Sequence, residues 1–444
     1  LDAYHATGDE YYYNAAREVA AALIWAQLPC GGWNYMFDYN GEDSLKKWYA
    51  TIGKQAWRME EFQHYYGNAT FDDGGTICSG EFLLRMFDEK KDSTYLPPLE
   101  KTIAFVLESQ YPSGGWPQRY PLMYDHPFLG KADYTSFITL NDDVSLENIE
   151  FLLQCRQVID LDSIKEPIDR AMDLLIKLQN PKPYAGWTDQ YFVETLKPAH
   201  ARSYEARAIN AGTTVEMIEL LMTYYRLTGD AKFLAGVPAA IDFLESMKLS
   251  EEVLKRAGRM VRNTSNIIVP RYVDPETGTP QMIHRKGSNV ANGHYYFDQN
   301  PENTVSHISS FTSVNIAQLR NELAAVKQIP VNELTKNSPL LHEKEIALPR
   351  FYTRNYNFGG NAGGIQNIVE SLNQEGYWLT SLSMVSNPFK AVPKLASSEE
   401  TKYVSTRVGD EYDTSTYPPA TPVMGISMQV YLSNMIKLIQ FVNN

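Results

Sequence analysis

Glu108-Ser109-Gln110-Tyr111-Pro112-Ser113-Gly114-Gly115-Trp116 ends one stretch of helical periodicity with a glutamine, a proline, a glycine pair and a tryptophan. The same order recurs on either side. Upstream, Ala26-Gln27-Leu28-Pro29 leads into Gly31-Gly32-Trp33, and downstream Lys177-Leu178-Gln179-Asn180-Pro181 leads into Gly186-Trp187. The copies stand about 70–85 residues apart, room for two helices and their loops, which marks one helical hairpin repeated around a ring. Glycine at the helix end is expected to supply a left-handed stop, and the tryptophan to cover the exposed rim of the core.

Between and around these corners, apolar residues return every three or four positions. The spacing predicts helices over Tyr13–Leu28, Thr76–Phe87, Pro98–Gln110, Asp143–Ile159, Ile164–Gln179, Thr213–Thr228 and Lys232–Met247. Asn180-Pro181 and Gly229-Asp230 punctuate them. From about Leu254 the texture changes. The β-branched run Asn266–Val273 precedes a Pro-Glu-Thr-Gly turn, with Met282-Ile283-His284-Arg285 placed to pair back as a short hairpin. The polar stretch Gly287–Asn303 reads as a loop, and helices return at Thr312–Lys327 and Gly425–Val442, the latter apolar enough to close a core. Between them, Gly359–Gly364 reads as a flexible loop before another helix. The fold class expected is mainly α, an (α/α) toroid or barrel of repeated helical hairpins with a short β-hairpin and irregular loops.

The chain of 444 residues is 43% hydrophobic and 21% charged, enough apolar surface for a sizeable core and too much for disorder. Its net charge of −13 argues against a nucleic-acid partner, which needs a basic face. It does not argue against an acidic substrate, because a local cluster of arginines, lysines and bound cation makes a positive groove on an acidic protein. No apolar run reaches the ~18 residues that span a bilayer. The chain begins at Leu1 without Met, as expected of the mature part of a longer, exported precursor. Cys30, Cys78 and Cys155 are odd in number and lack metal spacing, so buried free thiols are expected. The 29 tyrosines offer flat rings with polar tips, suited to the ends of a helical barrel and to sugar faces.

Two acidic pairs precede predicted helices: Phe71-Asp72-Asp73-Gly74-Gly75-Thr76 and Asn141-Asp142-Asp143-Val144. One Asp of each can cap its helix. The second carboxylate then needs a cation or an arginine to offset its charge, which is what oxygen-rich calcium sites provide. A basic loop follows, Leu196-Lys197-Pro198-Ala199-His200-Ala201-Arg202-Ser203-Tyr204-Glu205-Ala206-Arg207, and Arg271 and Arg285 flank the hairpin. Guanidinium groups hold carboxylates in bidentate fashion. Together these features suit a polyanionic sugar bridged by metal.

In their order along the chain, Phe71–Thr76, Gly114–Pro121, Asn141–Asp143 and Leu196–Glu205 resemble the signature motifs of family 10 polysaccharide lyases, the pectate lyases. The resemblance, which runs over roughly Asp72–Arg285, implies an (α/α) toroid; residues 1–310 are expected to form it, and residues 311–444, outside the resemblance, a C-terminal helical extension packed on the same domain. The resemblance also implies calcium-assisted β-elimination on pectate, polygalacturonate or a related uronate polymer, by a secreted, periplasmic or cell-surface monomer. It places Asp72 and Asp142 at the substrate and calcium site, with Asp73 and Asp143 as alternative or additional ligands. Arg202 matches the Brønsted base, Arg271 and Arg285 the later arginines that grip substrate carboxylates. Lys197, Arg207, Trp116 and Tyr204 join them as substrate-binding residues.

Calcium on a uronate carboxylate acidifies the C5 proton and stabilises the enolate that follows. Arginine is normally protonated far above neutral pH. A base role for Arg202 therefore calls for a strongly cationic neighbourhood, which Arg207, Lys197 and calcium near Arg202 would supply, or for an alkaline optimum. Two other classes stay open at this point. One is an (α/α)-barrel glycoside hydrolase using Asp72, Asp73, Asp142, Asp143 or Asp189 as an acid and base pair. The other is a non-catalytic polysaccharide-binding protein.

Overall fold

The protein was analysed as a computed structural model that describes residues 1–53, 60–62, 64–122, 132–159, 162–259, 265–286, 294–305, 308–342, 347–352, 364–386, 416–417 and 419–443. Its helices in chain order are α1 (Asp2–Thr7), α2 (Glu10–Ala26), α3 (Glu42–Trp48), α4 (Ile77–Lys90), α5 (Leu96–Ser109), α6 (Val144–Ile159) and α7 (Lys165–Leu178). They continue with α8 (Ala211–Thr228), α9 (Val237–Ser246), α10 (Glu251–Arg256), α11 (Ile316–Gln328), α12 (Val331–Leu334), α13 (Ile365–Glu370) and α14 (Met428–Asn443). Helix α4 packs on α2, α5 and α6; α7 bridges α6 and α8; α9 and α11 lie against α8. This succession of hairpins is the (α/α) toroid.

Inner and outer helices differ in sequence for a physical reason. Outer α7 buries Pro167, Ile168, Ala171, Met172, Leu174, Leu175 and Leu178, a single face at i, i+3, i+4 spacing. Inner α8 buries a wider arc, including the polar Thr213 and Thr214, and leaves only a narrow stripe at Glu219 and Thr223 exposed. Its ends follow local rules: the Asn210 side chain accepts from the Gly212 amide at 2.8 Å, and Gly229 stops the helix in the left-handed conformation.

The repeated corners are built differently from the expected glycine stop. Helices α2, α5 and α7 end at Gln27, Gln110 and Gln179, each with extended backbone. The glutamine amide then turns back. Gln110 Nε2 donates to the Gly114 carbonyl and to the Pro167 carbonyl, both at 2.9 Å. Gln27 does the same to Gly31 and Pro98, and Gln179 to Ala185 and Gly236, so each corner is tied to the start of the next outer helix. Gly114 has φ 109°, and a Cβ there would lie 2.4 Å from the Arg170 carbonyl oxygen; the glycine is required by close approach and not by helix termination. The tryptophans do not cover a rim. Trp33, Trp116 and Trp187 are all buried, with indole N–H groups donating to the Leu23, Val106 and Leu175 carbonyls at 2.8 Å.

A fourth copy lies in the C-terminal region. Asn373, Gly376 and Trp378 repeat the corner: the Asn373 amide donates to the Tyr377 carbonyl, and Trp378 Nε1 to the Ile368 carbonyl at 2.8 Å. The same pattern links Tyr111 to Gly115 and Trp116 to Val106. Helix α14 packs on α13 and α1. It does not close a core as expected: Ile439 is its buried residue, while Leu432 and Phe441 stay half exposed, because among the described residues its apolar face meets chiefly two six-residue helices.

Short strands join the hairpins. A hairpin forms at the expected turn, but in another register: Tyr272 and Val273 pair with Gln281 and Pro280, while Met282–Arg285 pairs with Tyr295–Asp298 and not with the Asn266–Val273 run. Two other expectations give way to strands. His294–Asp298 pairs antiparallel with Pro280–Lys286, within the stretch read as loop, and Phe311–Val314 pairs with Ile267–Pro270 before α11 begins. Residues 287–293, and all but Gly364 of the expected Gly359–Gly364 loop, lie outside the described residues. Among the cysteines Cys155 is buried and Cys30 half-buried, while Cys78 is exposed; all three are free thiols. No helix among the described residues is long and apolar enough to cross a membrane.

Candidate metal and substrate centre

Each corner tryptophan hands its carbonyl to the residue that opens the next inner helix. Thr70, Thr139 and Asn210 donate their amides to the carbonyls of Trp33, Trp116 and Trp187 at 2.8–2.9 Å. The loops that precede α4, α6 and α8 are thereby set side by side on one rim. The acidic pairs sit in two of those loops. Asp73, Asp142 and Asp143 adopt left-handed backbone with φ 50°, 52° and 57°. Non-glycine residues pay of order 1 kcal/mol for this, and Asp tolerates it better than most. The positive ends of α4 and α6 favour the carboxylates that result.

Arg202 crosses the gap between these loops. Its Nη2 donates to Asp72 Oδ2 at 2.6 Å and its Nη1 to Asp142 Oδ2 at 2.8 Å, while Nε donates to Glu61 Oε2 at 3.0 Å. Glu205 accepts from the Arg202 amide at 3.0 Å and from Nη1 at 3.3 Å. Arg202, Asp72, Glu61 and Glu205 are all buried. Glu60 fixes the next residue, accepting from the amide and hydroxyl of Ser203 at 2.8 and 2.6 Å. Tyr35 donates its hydroxyl to Asp72 Oδ2.

Four carboxylates on one guanidinium leave an excess of negative charge. Burial pushes Asp72 well above the usual carboxylate range, and the charges of Asp142 and Asp73 add to this against Arg202. In Asp142 burial acts in the same upward direction, but the charge and hydrogen bond of Arg202 outweigh it and hold the carboxyl below its ordinary value. Glu205 is pushed up to about 8, chiefly by burial. For Arg202 itself, burial disfavours the cation, yet Asp142, Asp72 and Glu61 more than compensate and raise it well above the ordinary arginine range.

One oxygen of each of Asp72, Asp73 and Asp142 lies within 4.8 Å of the others. Calcium holds oxygens at about 2.3–2.6 Å, so two ligands of one ion stand at most about 5 Å apart. Asp72 Oδ1 is buried and has no hydrogen-bond partner, an acceptor left for a ligand beyond the protein. The residues therefore fit a hard divalent cation. Asp143, also expected as a ligand, falls outside that triplet; it is exposed, and its carbonyl receives the Glu147 amide.

The other expected residues are distributed as follows. Arg271 lies close enough for its charge to act on Asp142 and Asp189. Arg285 is buried on the strand Pro280–Lys286, in register with Tyr295. Tyr204 is buried with its hydroxyl toward Glu61, a position from which it orients the Arg202 loop. Trp116 is fully buried beneath the corner and does not reach a polymer. The cationic neighbourhood expected from Arg207 and Lys197 is not present. Arg207 is half exposed and paired with Glu276 at 3.2 Å, and Lys197 is exposed in the turn between Gln190–Tyr191 and Pro198–Ala199.

Sequence reasoning passed over Tyr35, Glu60, Glu61 and Arg119. Buried Arg119 is bracketed by the rings of Tyr66 and Tyr35 at 4.4 and 4.9 Å and donates to Asn34 and Asn68. An acidic dipeptide such as Glu60-Glu61 ordinarily faces water, so nothing local marks it as buried. Asp189, named only as a possible hydrolase acid, has a supporting place: Oδ1 accepts from Asn210 and Thr213, and its carbonyl accepts the Leu140 amide, all at 2.8 Å.

A family model described as pectic acid lyase matches residues 40–285. Among solved structures, the family 10 polysaccharide lyase from Cellvibrio cellulosa is 19% identical, over 72% of this chain and 96% of that chain, with a TM-score of 0.49. A mutant of that lyase in complex with trigalacturonic acid is 18% identical, over 74% and 98%, with a TM-score of 0.48. An α-1,6-mannanase from Salegentibacter sp. is 11% identical, over 96% and 97%, with a TM-score of 0.31. No curated protein matches the chain.

Proposed function

The chain belongs to the pectic acid lyase family, and we propose that it cleaves pectate or a related polygalacturonate by calcium-assisted β-elimination outside the cytoplasm, with Arg202 as the base. The observation that carries this reading is the triplet Asp72, Asp73 and Asp142 gathered around Arg202, with an unpartnered buried oxygen on Asp72. Those three residues would hold the ion. When bound, it would draw electron density from the uronate carboxylate and acidify the C5 proton.

Arg202 is held in place from four sides, so its Nη atoms are aimed without rotamer freedom. The same carboxylates hold it protonated. Asp72 and Asp142, which would share their oxygens with the ion, would then pull less on the guanidinium and would favour its neutral form. A neutral Arg202 then accepts the C5 proton and the C4–O bond breaks with its electron pair on O4, leaving a 4,5-unsaturated uronate, while the departing O4 takes a proton from water to become a hydroxyl and Arg202 returns its own proton to solvent. Arg271, whose charge already reaches the centre, is suited to a second substrate carboxylate. The hydrolase alternative is less well supported, because the oxygens of Asp72 and Asp142 are drawn to one guanidinium and lie within 4.8 Å, closer than an acid and base that flank a sugar bond.

Incubation with polygalacturonate, with and without calcium, tests the proposal. Calcium-dependent growth of ultraviolet absorbance from the unsaturated product is expected, and its abolition in Arg202→Ala. New reducing ends without that absorbance, unaffected by chelator, would mean hydrolysis instead.

A further inference from the structure

Segment 33–39 runs in non-helical backbone beside Asp72. Tyr35 points inward and donates its hydroxyl to Asp72. Asn34, which accepts from Arg119 and donates to the Tyr66 carbonyl at 2.7 Å, borders with Met36, Phe37, Asp38 and Glu42 a cavity of about 440 Å³. That volume lies within the ~300–1,000 Å³ usual for small-ligand pockets. Trp25, at the end of α2, stands at its edge.

Three large rings gather at this mouth, although single exposed aromatics are the ordinary case. Trp25 is 53% exposed, Phe37 43% and Tyr39 67%. Trp25 and Tyr39 stack with centroids 4.5 Å apart, and Phe37 meets both edge-on at 6.0 and 5.7 Å. The rings brace one another, so a ligand would meet a platform already ordered. Polar groups adjoin it. Glu42 accepts from the Tyr65 hydroxyl at 2.8 Å and pairs with Lys46 at 3.1 Å, while Asp38 caps the turn at Asn40.

Aromatic faces carry partial negative charge and suit the polarised C–H face of a sugar ring, while carboxylates accept hydroxyl hydrogens. Among the described residues, two carboxylates against one lysine leave the mouth negative, which disfavours a free uronate there, in contrast to the arginines of the catalytic centre. We propose that the cavity bordered by Trp25, Phe37 and Tyr39 is an accessory subsite for an uncharged sugar residue of the pectic substrate. This rests on the reading that the chain acts on a pectic polymer. Segment 33–39 joins the cavity to the centre, since Tyr35 reaches Asp72 while Asn34 and Met36 line the cavity, and the proposed occupant is a neutral branch sugar or a methyl-esterified uronate of a chain engaged at Arg202.

Calorimetric titration of the full chain with 1,4-linked galactotetraose, arabinotriose, methyl-esterified trigalacturonate and free trigalacturonate tests this. At least one uncharged probe is expected to bind the native protein, and which one does identifies the source. Trp25→Ala and Tyr39→Ala should each weaken that binding about tenfold or more, as truncating a ring anchor does, with Trp25→Phe retaining most of it. Thermal midpoints and binding of free trigalacturonate should be unchanged. Failure of every uncharged probe to bind, or equal binding by the alanine variants, would overturn the proposal. Ring-dependent binding of an uncharged probe by a protein that cannot cleave polygalacturonate would uphold the subsite while removing the lyase reading, so the two failures are distinguishable.

Discussion

Arg202 is the residue on which charge balance and chemistry meet. It is the cation shared by Asp72, Asp142, Glu61 and Glu205, in a buried setting. Lysine cannot reproduce that fork. Arg202→Lys is expected to lower kcat by roughly 10²–10⁴, the usual worth of a positioned base, and Arg202→Ala to cost about 3–5 kcal/mol of stability in chelator, since it strands buried carboxylates. Urea denaturation alongside steady-state assays separates the two effects; wild-type turnover by Arg202→Lys would dismiss the base role. A second residue-scale prediction concerns Glu147 on α6, pushed up to about 8 by burial first and then by Asp143 and Glu81. A folded-state pKa above the unfolded one means that the native state binds more protons between pH about 4.5 and 8. The associated stability is present at low pH and lost as pH rises through that window. Glu147→Gln should flatten this decline when melting is followed across pH in chelator, and an unchanged slope would assign the protonation elsewhere. The acidic pairs and Arg202 could be seen in the sequence because their types and spacing are unusual. Glu61 could not, since its partner stands 141 positions away and its burial depends on the ring having closed.

At the scale of elements, the corners were legible and their mechanism was not. Gln-Pro-Gly-Gly-Trp patterns mark where helices turn, but sequence spacing cannot say that the glycine faces a neighbouring helix backbone. Gly114→Ala tests the distinction. Its Cβ would overlap the Arg170 carbonyl at 2.4 Å, in a backbone region hostile to side chains, so a loss of about 2–4 kcal/mol is expected. Gly258, with φ 67° and nothing within 4 Å of a Cβ, should lose only about 1 kcal/mol on the same change. Similar urea midpoints for the two variants would mean that the corner glycine serves only its dihedral angle. The fourth corner at Asn373–Trp378 escaped notice because its second glycine is Tyr377 and its glutamine is displaced. The strands Phe311–Val314 and His294–Asp298 were missed for another reason. Their partners, Ile267–Pro270 and Pro280–Lys286, supply half of each pattern from elsewhere in the chain.

For the whole molecule, net charge and the metal triplet make opposed demands that calcium titration can separate. A chain at −13 gains from any added cation through screening, since self-repulsion falls as the Debye length shortens. A specific site adds a different effect. An ion bound by the native state alone stabilises by about 2.7 kcal/mol at a hundred times its Kd, and continues to do so logarithmically. Calcium at millimolar concentration is therefore expected to raise the thermal midpoint beyond sodium chloride of equal ionic strength. Magnesium should do less, because it demands tighter octahedral geometry and sheds water reluctantly. Asp73→Asn discriminates best, since Asp73 belongs to the triplet but makes no contact with Arg202 among the described residues, so the guanidinium network survives the change. In that variant the calcium increment should shrink toward the sodium value while stability in chelator is held or improved, one like charge beside Asp72 and Asp142 having been removed. An equal calcium increment in Asp73→Asn and wild type would place the ion elsewhere on the ring and return Asp72, Asp73 and Asp142 to a purely structural partnership with Arg202.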